Sequence, residues 1–388
     1  MRKTDTTTRA GQRVPAHGSL TIPLLSEMRL KRPEQPLTAA WQHMPIAPRR
    51  STLLGISFRP THVAALGLDA RATLQTLLTY PFQVMRLGAY WNRVETEPGR
   101  FDTGELDWQI EQAERAGKQI MLCVGPLKSF SYPEFFVPAH HLPAPLPERT
   151  RIKPSAYPKL LESAVSFVTR LVERYRSRQS ILAWQLEHEA VDPLGMEHSW
   201  RLDTTFLEQE LAALRKADPD RQVMLNGFLP ASLPVRLSQW WRTRDQGDSL
   251  AAAQRLADIV GIDYYPRHAL LRLGGRTLYL DGNVGSLHNR RRKQLFTWTR
   301  AHGQKLMVAE GQAEPWEVVT TPPNPPGRGM YSCLPEQIIF NYNICLRWSE
   351  PDAPLYAYLF WGAEYWVLRE RCGDSSYLRA FARILEQA

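Results

Sequence analysis

The chain has 388 residues, 43% hydrophobic and 22% charged, a globular composition that excludes a disordered polymer. No run approaches the ~18 consecutive apolar residues of a membrane-spanning helix. The four cysteines (Cys123, Cys333, Cys345, Cys372) lack the CxxC pairing and the spacing of a zinc module or disulfide scaffold. The net charge is +9, and residues 1–50 hold nine basic against three acidic side chains, so +6 of it lies there. The remaining 338 residues carry 39 basic and 36 acidic groups, too balanced for a folded nucleic-acid-binding face.

Residues 1–50 show no apolar period of 2 or 3.6, and we expect a basic, poorly structured N-terminal extension, with a membrane or partner tether as the lesser alternative. Its one apolar patch, Leu20 to Leu25, is interrupted by Thr21 and Pro23 and is too short for a secretory signal, so a cytoplasmic location is expected over a secreted one. From residue 51 the pattern becomes regular. Apolar segments rich in β-branched or aromatic residues predict strands at 53–58, 82–88, 118–125, 180–187, 221–228, 257–265, 304–311 and 354–361. Amphipathic stretches such as 106–117 and 160–175 fall between them. Eight strands alternating with helices predict an α/β fold, a (β/α)8 TIM barrel over 51–388. An open doubly wound sheet is the runner-up, but no GxGxxG or P-loop follows any strand.

Two long proline-rich connections, after strands 3 and 7, belong to the face where barrel active sites are built. They are expected to wall a cleft. The basic run Arg290-Arg291-Arg292-Lys293 reads as a solvated helix face, and His140-His141 as loop residues. Cys123, at the end of a buried strand, reads as core.

A barrel interior is apolar, so carboxylates at strand C-termini are expensive unless they serve a site. Strand 4 runs into WQLEHEA, with Glu187 and Glu189, and strand 7 into VAEGQAEPW, with Glu310 and Glu314. Two carboxylates facing one another across the mouth are the minimum equipment for cleaving a glycosidic bond. Structural ion pairs with Arg86 or Arg93 are the alternative. Tyr90, Trp91, Trp316, Trp361 and Trp366 offer flat apolar faces for sugars or for the core. Glu364, just past strand 8, suits a sugar contact or a loop anchor, and Lys128 and Glu134 lie on the strand 3 loop. Position 192, four after His188, is Asp, so the HExxH zinc motif is absent; neither a metal nor a cofactor is expected.

These segments resemble the clan of retaining two-glutamate (β/α)8 glycosidases that includes cellulase-like and β-galactosidase-like families. RLGAYWNRVETEPGRFDTGELDW (86–108) is similar to the segment after strand 2 in that clan, GIDYYPR (261–267) to the aromatic end of strand 6, and LFWGAEYW (359–366) to that of strand 8. The resemblance implies Glu189 as acid/base, Glu310 as nucleophile and Arg86 as support for the nucleophile. Together with the residue reading above, it makes His188, Tyr265, Trp316, Trp361 and Glu364 the expected substrate contacts, with an oligosaccharide or polysaccharide as substrate. The clan's Asn before the acid, which bonds the sugar 2-hydroxyl, is His188 here, and its following Pro is Ala190. That departure keeps a second reading open: a carbohydrate-binding or transglycosylating barrel with weak hydrolysis. It also leads us to expect His188 to titrate near its ordinary pKa of ~6.5 and to shape the acidic limb of the pH–rate profile.

Overall fold

The computed structural model describes residues 27–142, 144–193, 198–230, 232–282, 287–317, 324–348 and 354–388. Eight parallel strands close into a barrel: β1 (Leu53–Ser57), β2 (Val84–Gly88), β3 (Gln119–Cys123), β4 (Ile181–Gln185), β5 (Val223–Phe228), β6 (Ile259–Tyr264), β7 (Lys305–Gln312) and β8 (Ala357–Trp361). They pair in sequence order, and β8 returns to β1 with Ala357 opposite Leu53 and Phe360 opposite Ile56. Each lies within a segment expected to be a strand, apart from the last residue of β7, and closure of the sheet excludes the open doubly wound alternative.

The main helices are α1 (Ala70–Leu78), α2 (Gly104–Arg115), α3 (Pro158–Tyr175), α4 (Thr204–Ala217), α5 (Leu233–Thr243), α6 (Ser249–Leu256), α7 (Leu287–Ala301), α8 (Pro335–Leu346) and α9 (Ser376–Gln387). Asp69, Asp203 and Asp248 cap α1, α4 and α6 by accepting a first-turn backbone N–H, which satisfies donors the helix itself leaves free. Helix α3 shows why these segments dock. Leu160, Ala164, Phe167, Val168, Leu171, Val172 and Tyr175 recur at helical spacing and are all buried, the larger ones contributing ~1.5–3 kcal/mol each on leaving water.

Alternation along the strands divides the apolar residues into two cores. Outward-facing residues pack under the helices, while Val84, Met121, Ala183, Met224, Ile259, Met307, Ala309, Ala357 and Leu359 fill the barrel interior. Because strand side chains repeat every two residues, the next inward positions toward the C-terminal end follow directly. They are Arg86 on β2, Gln185 on β4, Asn226 on β5 and, two steps beyond Ile259, Asp263 on β6. The floor of the mouth is therefore polar by register.

Ahead of the barrel, residues 27–50 dock onto it. Met28–Lys31 pairs antiparallel with Arg276–Asp281, and Glu34–Pro36 with Arg328–Met330. Trp41 is buried, and Arg383 of α9 donates to the carbonyls of Trp41 and Met44. Of the expected extension, residues 1–26 lie outside the described residues. The hairpin Arg267–Leu273/Arg276–Asp281 turns through Gly274-Gly275, and Gly274 has φ +58°, a conformation glycine adopts freely. It is an addition to the eight expected strands. In α7, Arg291 pairs with Asp248 and Arg292 lies over the Trp348 ring. Two members of the basic run thus serve packing, only Lys293 is fully exposed, and the side chain of Arg290 lies outside the described residues.

Candidate active site

Arg86, Gln185, Asn226, Asp263 and Glu310 are all buried at the C-terminal end of the barrel. Glu310 reaches this layer through an irregularity. Met307 and Ala309 face the barrel interior, so strict alternation would turn Glu310 toward the helices. The pairing of β7 with β6 instead passes from Val308–Ile262 directly to Glu310–Asp263, leaving Ala309 as an extra residue. Such a bulge reverses the side-chain alternation, and Glu310 enters the mouth. Gly311 next to it has no room for a Cβ, which would overlap the Tyr358 hydroxyl.

Glu310 holds two donors. Arg86 Nη1 donates to its Oε1 at 2.6 Å and the Tyr265 hydroxyl to its Oε2 at 2.5 Å. Burial, followed by the neighbouring charge of Glu310, raises the Tyr265 pKa well above the phenolic range, so Tyr265 keeps its proton and remains a donor. Its neighbour Tyr264 points outward against Trp348, with ring centroids 4.8 Å apart. Arg86 is braced by the Phe130 ring, 3.9 Å away.

A directed network runs from Arg86 across the floor. Arg86 Nε donates to Gln185 Oε1 at 2.7 Å, and Gln185 Nε2 donates to Asn226 Oδ1 at 3.1 Å and to the Glu187 carbonyl at 2.8 Å. Asn226 Nδ2 then supplies Asp263 Oδ2 at 2.6 Å and His188 Nδ1 at 2.9 Å. Guanidinium only donates, so every amide orientation downstream is assigned. His188 Nδ1 must accept, and its ring proton sits on Nε2. A second donor, Arg86 Nη2, lies 3.5 Å from the same Nδ1. Burial and then the charges of Arg86 and Lys128 hold the His188 pKa well below the imidazole range. The expectation that His188 titrates near ~6.5 is thus corrected: a proton on Nδ1 would point at donors.

On the β4 side the chain turns sharply. Glu187 and Glu189 both have positive φ, +56° and +44°, uncommon for side-chain-bearing residues and costing on the order of 1–3 kcal/mol each. Glu187 is buried, and its carboxylate accepts the backbone N–H groups of Leu127 (3.0 Å) and Lys128 (2.5 Å). Gly125 permits this approach, since a Cβ there would overlap the Glu187 backbone. Burial nevertheless pushes the Glu187 pKa up to about 7. Glu187 is therefore an anchor for the β3 loop. Glu189 keeps some exposure, and its pKa lies well above the carboxylate range, first through desolvation and then through the charges of Asp263 and Asp192, with Glu310 adding to them. Lys128 offsets part of this, its Nζ capping the carbonyls of Glu189 (3.0 Å) and Asp192 (3.3 Å). Asp263 is raised as well, by burial and then by the charge of Glu310.

The aromatic candidates differ in access. Trp316 is 40% exposed and packs beside Tyr265 and His268, with centroids 5.2 Å from each. Trp361 is half-buried, with Arg59 stacked 4.0 Å from its ring centre. Trp91 and Trp366 are fully buried and Tyr90 nearly so; they belong to the core. Glu364 is corrected from a sugar contact to an anchor. It is fully buried, and its carboxylate accepts the Arg59 backbone N–H at 2.6 Å and the Arg59 guanidinium at 2.6 and 3.2 Å. Glu314 takes the other side of that guanidinium at 2.8 Å, which with nearby His62 holds its carboxyl far below the usual range. Cys123 is buried, and its thiol is pushed up to about 11.

Among the described residues, two groups bring metal-ligating atoms within 4.8 Å of one another: His188 with Asp263 and Glu310, and Glu95 with His140 and His141. In the first, Arg86, Tyr265 and Asn226 already donate to the three side chains. In the second, Glu95 accepts from Trp91 Nε1 (2.7 Å) and Gly99 N–H (3.0 Å). Gln185, Asn226 and Asp263 are the site residues that the sequence reading passed over, and a polar side chain at an inward position of an apolar strand was their signal.

A family model described as β-galactosidase, a glycoside hydrolase, matches residues 69–216. That stretch runs from α1 to α4 and carries Arg86, His188 and Glu189; Glu310 lies beyond it. Xylanase 10B from Thermotoga petrophila RKU-1, solved with xylobiose, is similar over 89% of this chain and 99% of its own, at 14% identity and a TM-score of 0.50. A β-galactosidase from Bacillus circulans sp. alkalophilus is similar over 87% of this chain and 55% of its own, at 11% identity and a TM-score of 0.51. At such identities the likeness is one of fold. No curated protein matches the chain. The family match and the shared barrel bear out the resemblance to the two-glutamate glycosidases.

Proposed function

We propose that this chain is a β-glycosidase acting on an oligosaccharide or polysaccharide by double displacement, with Glu189 as acid/base and Glu310 as nucleophile. The observation that carries the reading is the contrast between the two carboxyls. Glu310 receives two donors aimed at its oxygens, while burial and then the charges of Asp263 and Asp192 raise the Glu189 pKa and favour its protonated form. In the first step Glu189 gives its proton to the glycosidic oxygen as Glu310 Oε attacks the anomeric carbon; the leaving alcohol departs and a glycosyl ester remains. Ester formation removes the Glu310 charge, one of those opposing ionisation of Glu189. Glu189 then takes a proton from water, which attacks the anomeric carbon and releases Glu310. The Tyr265 hydroxyl and Arg86 hold the attacking carboxylate in line, and Trp316 and Trp361 border the sugar.

The test is NMR of the first-formed anomer during hydrolysis of aryl β-galactosides, xylosides, glucosides and mannosides. Appearance of the β-hemiacetal first is expected. The α-anomer first would make the reaction inverting and remove the nucleophile role from Glu310. His188 favours the second reading, a barrel that binds or transfers sugars with little hydrolysis. Saturable calorimetric binding of an oligosaccharide without turnover, or transfer products exceeding hydrolysis products, would select it.

A further inference from the structure

Helix α5 is turned inside out. Leu237, Trp240 and Trp241 stand at i, i+3 and i+4, one face of a helix, and are 56%, 60% and 60% exposed. The buried positions are polar: Gln239, whose amide donates to Asp192 Oδ2 and the Phe228 carbonyl, and Thr243, whose hydroxyl donates to the Gln239 carbonyl. An amphipathic helix of a globular protein ordinarily buries its apolar face. Two adjacent exposed tryptophans beside an exposed leucine mark an interaction surface.

Charge identifies what it meets. Arg236, Arg242 and Arg244 are exposed on the same helix and its C-cap, and no acidic residue occurs from Leu233 to Arg244. Asp245, which follows, is held by Arg201 and Arg151. The Arg244 guanidinium lies 3.9 Å from the centre of the Trp241 ring, covering one ring face that a sugar would need for stacking.

From this we infer that α5 docks the protein on an anionic phospholipid surface. Trp240, Trp241 and Leu237 enter the headgroup–acyl boundary, and the arginines pair with lipid phosphates. Interfacial helices combine these features: an apolar face with Trp and Leu, and Arg or Lys beside it. An uncharged polysaccharide would use the tryptophans but not the cations.

The test is co-sedimentation of the full chain with sucrose-loaded vesicles of phosphatidylglycerol mixed into phosphatidylcholine, against pure phosphatidylcholine. Partition onto the anionic vesicles is expected, falling about tenfold or more as salt is raised from ~0.1 to ~0.5 M. The W240S/W241S variant and the R236Q/R242Q/R244Q variant should each lose about tenfold in partition, since one removes the apolar anchor and the other the charge. All substituted side chains are exposed, and a thermal melt matching the wild type verifies the fold. Equal partition onto both vesicle types, no sedimentation, or unchanged partition in both variants would overturn the proposal. So would tryptophan-dependent binding to insoluble polysaccharide without vesicle binding, or self-association that the W240S/W241S variant abolishes. Vesicle binding is read without turnover, so its outcome is independent of the glycosidase reading.

Discussion

Glu310 on β7 and the glutamates after β4 lie at the same end of the barrel in surroundings of opposite character. On the β7 side, a bulge turns one carboxylate into the mouth and two donors, Arg86 and Tyr265, meet it. On the β4 side, Glu187, Glu189 and Asp192 crowd together with Asp263 across from them, and Lys128 is the cation among them. One side aims donors at a carboxylate, and the other, through burial and like charges, favours the protonated form of Glu189. The backbone differs too: β7 accommodates its glutamate with one extra residue, whereas the β4 end holds two residues in the left-handed region. A carboxyl pair with environments pushed apart in this way is how acid and base roles are divided.

Removing the charged side should do the most damage. Glu310→Gln preserves size, and its carbonyl oxygen can still accept from Arg86 while its NH2 donates to the Tyr265 hydroxyl, but it eliminates the carboxylate proposed to attack. We expect a loss of kcat on the order of 10⁴-fold or more, with an unchanged melting temperature; a loss under tenfold would move the nucleophile elsewhere. Glu189→Ala should follow. Substrates with alkyl leaving groups should slow by about 10²–10⁴-fold, the usual worth of a general acid. Glycosylation by activated aryl glycosides, whose leaving groups need no proton, should slow far less. Equal losses on both would erase the distinction between the two sides. They would point to Glu187 or to a collapsed β4 turn.

What could be read from the chain follows the same divide between apolar patterning and long-range contact. Parallel barrel strands are buried on both faces, so they stand out as apolar runs, and all eight were legible. Glu310 and Glu189 stood out as candidates because a carboxylate at the end of such a run is costly to bury without a partner. Gln185, Asn226 and Asp263 sit within the runs and became visible only when alternation placed them in one layer with Arg86. Glu364 was misread because its partner, Arg59, is 305 positions away. The hairpin around Gly274-Gly275 carried a local signal, a two-residue glycine turn between β-prone segments. The helical period of α5 was present but gave no hint that its polar side is the buried one.

A smaller effect tests whether the β4 side stores protons. Glu210 of α4 is fully buried and, like Glu187, is raised in pKa by desolvation, with the Glu187 charge adding to it. A carboxyl whose folded pKa exceeds its unfolded value makes the folded state bind more protons. The stability it confers is whole below the unfolded pKa and is lost as pH rises through the folded one. For Glu187 that window runs from 4.5 to about 7, a difference of at most about 3 kcal/mol. The wild-type Tm should therefore fall between pH 5 and pH 8. Glu210→Gln, which removes one titrating member of the pair, should flatten that fall by a few degrees. Parallel Tm curves for the two proteins would show that the pair keeps no proton at neutral pH.

The smallest expected effect is an absence, and it concerns the residue that touches both sides. His188 Nδ1 lies 3.5 Å from Glu310 Oε1 and 2.9 Å from Asn226 Nδ2. An imidazole beside a carboxylate would ordinarily be drawn toward its charged form. Here the Arg86 guanidinium already occupies Glu310 at 2.6 Å and stands 3.5 Å from Nδ1. The Asn226 amide donates to the one nitrogen a proton would need. Protonation would therefore turn an accepting contact into opposed donors in a buried place, at the cost of the Gln185–Asn226 orientation as well. His188 stays neutral with its proton on Nε2, and His188→Asn should leave the acidic limb of the kcat/KM profile where it is. The substitution should instead change KM and the preference among substrates altered at the sugar 2-position, because it replaces an imidazole N–H by a shorter amide. An acidic limb that moves in the variant would mean that His188 gains its second proton in that pH range despite the donors around Nδ1.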